Sequence, residues 1–154
     1  MTASYRIRPA TPADLEALLA LEQRAFNTDH LSRRQYRKHL QSPTAVVLVA
    51  AAPSQDVLGK ALVFFNARSD IARLYSIAVS DAARGQGLGA VLLDAVEQAA
   101  RRHGSRRLRL EVSQRNPAAI RLYERHGYRR IGERRGYYEN GEDAWRYEKQ
   151  LGKA

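Results

Sequence analysis

The stretch Val79-Ser80-Asp81-Ala82-Ala83-Arg84-Gly85-Gln86-Gly87-Leu88-Gly89 decides how this chain is read. An apolar strand over residues 74–79 runs into a short polar loop, three glycines follow at alternate positions, and an amphipathic helix opens at once. Glycine lets the backbone come close to an anion and turn its N–H groups inward, and a helix N-terminus adds roughly half a positive charge. The layout is that of an anion cradle over Gly85 to Ala90. Glycine-rich loops are common, so the flanking strands carry the weight. The strand over 107–113 alternates Leu108, Leu110 and Val112 with Arg109, Glu111 and Ser113. A strand, a crossover helix and a second strand should be parallel and right-handed.

Downstream of that strand, Asn116 and Pro117 start a helix through Ile120 and Tyr123 that His126-Gly127 closes. Strands over 128–134 and 144–150 flank the loop 137–143. Upstream, 5–8 reads as a short strand. Thr11-Pro12-Ala13-Asp14 places an N-cap, a proline at N1 and an acid at N3 of a helix that runs to about Phe26. After a polar break over 27–31, Ser32 caps a second helix that ends near Leu40. Its outer face is basic (Arg33, Arg34, Arg37, Lys38) and its apolar side is thin (Leu31, Tyr36, Leu40). Strands over 44–51, 57–66 and 71–79 are joined by short turns, which implies an antiparallel meander. The helix after the glycines carries Leu88, Val91, Leu92, Ala95, Val96 and Ala99 at helical spacing and ends at His103-Gly104. No internal repeat or linker interrupts the 154 residues, so a single mixed α/β domain is expected.

Composition narrows the chemistry. There is no cysteine, which excludes disulfides, thiolate metal sites and a cysteine nucleophile. The four histidines, at 30, 39, 103 and 126, lack metal spacing, and no G-x-S-x-G elbow is present. The first residues carry no apolar signal core, and the longest apolar run, 45–52, is far short of a membrane span, so a cytoplasmic protein is expected. The net charge of +10 is concentrated: residues 101–135 hold 12 Arg against Glu111, Glu124 and Glu133, a balance of +9. A solvated or anion-facing surface ranks above a nucleic-acid footprint there.

Ligands of open α/β sheets sit beyond the carboxyl ends of parallel strands, which places Glu111 near any anion held by residues 85–90. A carboxylate is a poor partner for phosphate, so general base is the candidate role. The competing reading is a salt bridge to Arg109 or Arg115. Tyr123 is equally readable as core packing and Asn116 as an N-cap.

Arg84-Gly85-Gln86-Gly87-Leu88-Gly89 resembles the R/Q-x-x-G-x-G/A signature of the GNAT superfamily of acyl-CoA-dependent N-acyltransferases. The segment 110–128, Leu-Glu-Val-Ser-Gln-Arg-Asn-Pro-Ala-Ala-Ile-Arg-Leu-Tyr-Glu-Arg-His-Gly-Tyr, is similar to the L-E-V-x-x-x-N-x-x-A-I-x-L-Y-x-x-x-G-F/Y segment of bacterial ribosomal-protein-alanine N-acetyltransferases. Tyr137-Tyr138 with Gly141-Glu142-Asp143-Ala144 is similar to the final hairpin of those enzymes.

The resemblance implies a GNAT-like fold, a mixed sheet of about seven strands with a central parallel pair splayed around the CoA site and about four helices. It implies acetyl-CoA as cosubstrate and no metal. The pantetheine arm would pair with the backbone of Ile77, Ala78 and Val79. The pyrophosphate would lie on Gly85, Gln86, Gly87, Leu88, Gly89 and Ala90, with Arg84 adding a charge-assisted contact. By position Glu111 would be the base, Asn116 a cofactor contact and Tyr123 the general acid. The acceptor would be a primary amine, foremost a protein or peptide N-terminal α-amine, built against the loops 27–31 and 134–143. Asp29, Glu139, Glu142 and Asp143 in those loops are candidates for meeting a cationic acceptor, with loop solubility as the alternative. A small-molecule amine acetyltransferase and a non-catalytic acyl-CoA-sensing or RNA-docking module stay open, as do monomer and homodimer.

Overall fold

The computed structural model describes residues 5–26 and 28–152. In chain order it comprises β1 (Arg6–Pro9), a 3₁₀ turn (Pro12–Asp14), α1 (Leu15–Ala25), α2 (Arg33–Gln41), β2 (Ala45–Ala51), β3 (Val57–Phe64), β4 (Ile71–Val79) and a second 3₁₀ turn (Asp81–Ala83). It continues with α3 (Leu88–Arg102), β5 (Arg107–Ser113), α4 (Pro117–Arg125), β6 (Arg129–Arg134) and β7 (Ala144–Gln150). The strands form one sheet in the order β1-β2-β3-β4-β5-β7-β6. The meander expected over the first strands is present, and β4 and β5 form the parallel pair.

The order at the far end was not readable from the chain. β7 inserts beside β5, antiparallel from Arg107↔Gln150 to Ser113↔Ala144, and pushes β6 to the edge. Burial explains the choice: Ala144 and Tyr147 of β7 are fully buried, whereas β6 is largely exposed, Ile131 included at 44%. The arginines of β6 suit an edge that must not pair with another chain.

Period-two alternation sends each strand's side chains to two cores. Leu48 and Ala50 of β2, with Ala61 and Val63 of β3, pack under α3 against Leu92, Leu93 and Val96. Val47 and Val49, with Leu62, pack under α1 and α2 against Leu18 and Tyr36. Because β2 is covered on both faces, its sequence is an unbroken apolar run.

The helix starts are fixed by reciprocal caps. The Thr11 N–H donates to Asp14 Oδ2 at 2.8 Å, and Arg8 forks onto the same carboxylate at 2.7 and 2.9 Å. The Ser32 N–H donates to Gln35 Oε1 at 2.8 Å, and the Gln35 N–H to Ser32 Oγ at 3.1 Å. Among the described residues no helix is long and apolar enough to cross a membrane.

Candidate active site

The site begins where the two parallel strands part. β4 and β5 pair from Ile71↔Arg107 to Leu74↔Leu110 and no further. On its other side β4 carries a bulge against β3: Leu62 faces Ser76 and Val63 faces Leu74, leaving Tyr75 as the extra residue. A bulge bends the strand that holds it. Beyond it, β4 stays bonded to β3 through Val79↔Gly59, while its β5-side edge is left open over residues 75–79. Into this gap opens a cavity of about 560 Å³, walled by Tyr75, Ser76 and Ile77 of β4, Glu111 to Ser113 of β5, and Asn116, Ala119 and Tyr123.

The glycine loop lies at the end of that open edge. Gly85 and Gly87 have φ of 79° and 75°, and a Cβ at either would meet nothing within 4 Å. Their glycine is therefore required by the backbone turn and not by crowding. Gly87 is the N-cap of α3, and Val91 is the first residue whose N–H closes onto it, at 3.3 Å. The first-turn N–H groups of Leu88, Gly89 and Ala90 are thus without helical partners. Arg84 is exposed and pairs with Asp81 at 3.2 Å. An open strand edge that runs to a ring of unpaired N–H groups fits an extended amide chain ending in a pyrophosphate. Of the β4 residues expected to meet it, Ile77 lines the cavity, and Ala78 and Val79 continue the open edge.

Glu111 is the first β5 residue past the last β4 pair, and its side chain is 6% exposed. The expected alternative partners are wrong. Arg109 pairs with Glu148 at 2.6 Å, and no ion pair joins Arg115 to Glu111. Instead Arg73 of β4 reaches Glu111 Oε1 at 2.6 Å, Arg146 Nε of β7 stands 3.9 Å from Oε2, and the Tyr137 hydroxyl donates to Oε1 at 3.3 Å. Arg73 also donates to the Tyr137 hydroxyl. Burial raises the Tyr137 pKa, Arg73 opposing and Glu111 reinforcing, so this phenol stays a donor.

Tyr123 faces the same cavity from α4. It is 7% exposed and packs edge-on against Tyr128 at 5.7 Å, so the core-packing reading of its ring is also correct. Its hydroxyl has no hydrogen-bond partner among the described residues, and burial pushes its pKa up. Asn116 is the expected N-cap, its Oδ1 accepting from the Ala119 N–H at 3.2 Å, and it lines the cavity as well.

Two loops roof the gap. Asp29, in left-handed backbone at φ 58°, accepts from the Glu139 N–H at 3.0 Å and so ties the α1–α2 loop to the β6–β7 loop. Asn27 lies outside the described residues. Three of the four loop acids, Asp29, Glu142 and Asp143, accept hydrogen bonds within the fold. Glu142 accepts from Ser113 Oγ at 3.2 Å and Asp143 from the Gly136 N–H at 2.7 Å, and only Asp29 and Glu142 line the cavity. The basic run 101–135 is likewise partly spent inside the fold, through Arg101–Glu97, Arg107–Asp70 and Arg109–Glu148. Among the described residues no cluster of three His, Asp or Glu is arranged to hold a metal ion.

Residues 15–128 match the model of the acetyltransferase (GNAT) family. The chain belongs to the GNAT acetyltransferase family. It is an acetyl-CoA-dependent N-acetyltransferase. An N-alpha-acetyltransferase of Sulfurisphaera tokodaii is 28% identical over 152 residues, covering 92% of this chain and 90% of the relative. The [ribosomal protein bS18]-alanine N-acetyltransferase of Escherichia coli is 42% identical over 69 residues, 45% of this chain and 47% of the relative. The crystal structure of the ribosomal-protein-S18-alanine N-acetyltransferase from Escherichia coli superposes with a TM-score of 0.85 at 29% identity, covering 98% and 96% of the two chains.

Sequence reasoning missed several charged and polar residues around this cavity. Arg73 and Arg146 brace Glu111 from neighbouring strands, and Glu22, Lys60 and Ser76 form a polar cluster beside the cavity. Three of them carried a sequence signal, a single charge in an otherwise apolar stretch: Arg73 in β4, Lys60 in β3 and Glu22 on the buried side of α1.

Proposed function

We propose that this enzyme acetylates the N-terminal α-amine of a protein or peptide, acting as one acetyltransferase domain. The observation that carries the reading is the state of Glu111, whose carboxylate already serves Arg73, Arg146 and Tyr137. Such a group suits an amine with an appreciable neutral fraction near pH 7. An α-amine has a pKa of about 7.7–8.0 and a lysine side chain about 10.4, so near pH 7 the former is roughly several hundred times richer in its reactive form. The nearly full-length similarity to an N-alpha-acetyltransferase supports the same reading.

Acetyl-CoA supplies the activated acetyl group as a thioester. Residues 77–79 would hold its arm through their open main-chain edge, Gly85 to Ala90 its pyrophosphate through N–H groups, and Asn116 a further polar contact. Glu111, directly or through one water, takes the proton that the attacking amine loses. Tyr123, kept protonated by burial, gives its phenolic proton to the sulfur. One proton leaves nitrogen and one reaches sulfur, and the products are an N-acetyl amide and a free thiol.

The test is thiol release from acetyl-CoA with peptides of varied N-termini, N-blocked lysine peptides and small amines. The reading expects turnover with free N-termini. Turnover confined to small amines would give the enzyme a metabolite acceptor instead, and thiol release with none would leave a binding module.

A further inference from the structure

Lysine and glutamate are almost never sealed from water unless they are paired. Glu22 and Lys60 are 2% and 0% exposed, with Nζ 2.6 Å from Oε1. The same Oε1 accepts from the Tyr36 hydroxyl at 2.7 Å, and Oε2 accepts from the Leu31 N–H at 3.0 Å. A group that receives three donors is acting purely as an acceptor, which is the ionised carboxylate, and its close partner is then the ammonium. Burial pulls Lys60 below the ordinary lysine pKa, and Glu22 opposes that pull.

A second donor of Lys60 faces the cleft. Nζ donates to Ser76 Oγ at 2.9 Å. Ser76 follows the bulged Tyr75 on the open stretch of β4 and lines the cavity. An ammonium has no lone pair, so the polarity of this bond is fixed: the Ser76 oxygen accepts. Its own proton must be donated elsewhere, and among the described residues no acceptor takes it.

We infer that Ser76 is a recognition hydroxyl for the acceptor, donating to the carbonyl oxygen beside the reactive amine, with Lys60 as the positioning residue that fixes its polarity. The inference rests on the α-amine reading, because an N-terminal residue carries a carbonyl next to its amine and an alkyl amine does not. The side on which Ser76 stands favours the acceptor over the thioester. Through Lys60 it belongs to the polar cluster of α1 and α2, whereas the N–H groups that fit the pyrophosphate belong to α3, and Ile77 packs toward that opposite core.

The experiment compares a short peptide with a free N-terminus and benzylamine as acceptors for the wild type, Ser76→Ala and Ser76→Thr, with the KM for acetyl-CoA as a second reference. Melting temperatures check that the variants fold. Ser76→Ala should lower kcat/KM for the peptide by about 3–10-fold, chiefly through KM. Benzylamine and acetyl-CoA should be unaffected, and Ser76→Thr should restore the peptide. Lys60→Met, made together with Glu22→Gln so that no carboxylate is stranded, should weaken the peptide alone in the same direction. An equal loss on both amines, or a raised KM for acetyl-CoA, overturns the inference. An unchanged peptide rate in Ser76→Ala overturns it while leaving the α-amine reading intact. A wild type that takes benzylamine and no peptide overturns both.

Discussion

Replacing Lys60 alone by methionine keeps most of the side-chain volume and removes the charge. The Glu22 carboxylate would then stay buried with only the Tyr36 hydroxyl and the Leu31 N–H, at 2.7 and 3.0 Å. Breaking a buried pair by removing one partner costs about 3–5 kcal/mol, because the other charge is stranded. For a chain of this size a loss of 1 kcal/mol lowers Tm by about 2–4 °C, so Lys60→Met should melt about 6–20 °C early. Over most of the usual stability range of about 5–15 kcal/mol such a variant is still folded at room temperature. Adding Glu22→Gln removes the stranded charge yet keeps an amide oxygen for Leu31 or Tyr36, and the net cost should shrink to about 1–2 kcal/mol. Thermal melts followed by circular dichroism on the two single variants and the double variant complete the cycle. A double variant no more stable than Lys60→Met would refute the reasoning, since the cost could not then lie in an uncompensated carboxylate.

Three further outcomes follow from the site and its supports. Glu111→Gln preserves shape but cannot take a proton, so kcat should fall about 100-fold or more while acetyl-CoA affinity by calorimetry stays within about twofold. Tyr123 acts only while protonated, and burial lifts its pKa above the usual value of about 10; the wild-type kcat should therefore show no alkaline decline below about pH 10, and Tyr123→Phe should lower it throughout. The hydrogen bonds from Arg8 hold the Asp14 carboxyl below the ordinary carboxylate range. Its stabilisation is complete above the unfolded value near 4 and lost as pH falls through the folded one, so Asp14→Asn should cost about 2 kcal/mol at neutral pH and almost nothing in strong acid, read by urea melts.

Much of this enzyme was legible in its sequence, and the gaps have a common physical cause. Strand–loop–helix order, capping residues and period-two alternation are local properties, and they placed β4, α3 and β5 together with Glu111, Asn116 and Tyr123. Partners across a sheet are not local. Arg109 lies two residues from Glu111, roughly 7 Å along the strand, whereas cross-strand neighbours lie about 5 Å apart. The register Arg109↔Glu148 and Glu111↔Arg146 therefore decides the pairing, and that register depends on where β7 inserts. Nine of the twelve arginines in the run 101–135 are exposed, as a solvated surface requires, while Arg101, Arg107 and Arg109 pair with Glu97, Asp70 and Glu148, acids that lie outside the run in sequence. The Glu22–Lys60–Ser76 chain joins three separate elements, and only the lone charges in apolar stretches hinted at it.

The most direct test of the account offers both amines to the enzyme in one molecule. A peptide with a free N-terminus and one internal lysine is incubated with acetyl-CoA near neutral pH, and the acetylated position is mapped by fragmentation mass spectrometry. Acetylation at the α-amine, abolished by Glu111→Gln, is the result predicted. Acetylation at the lysine side chain would contradict it.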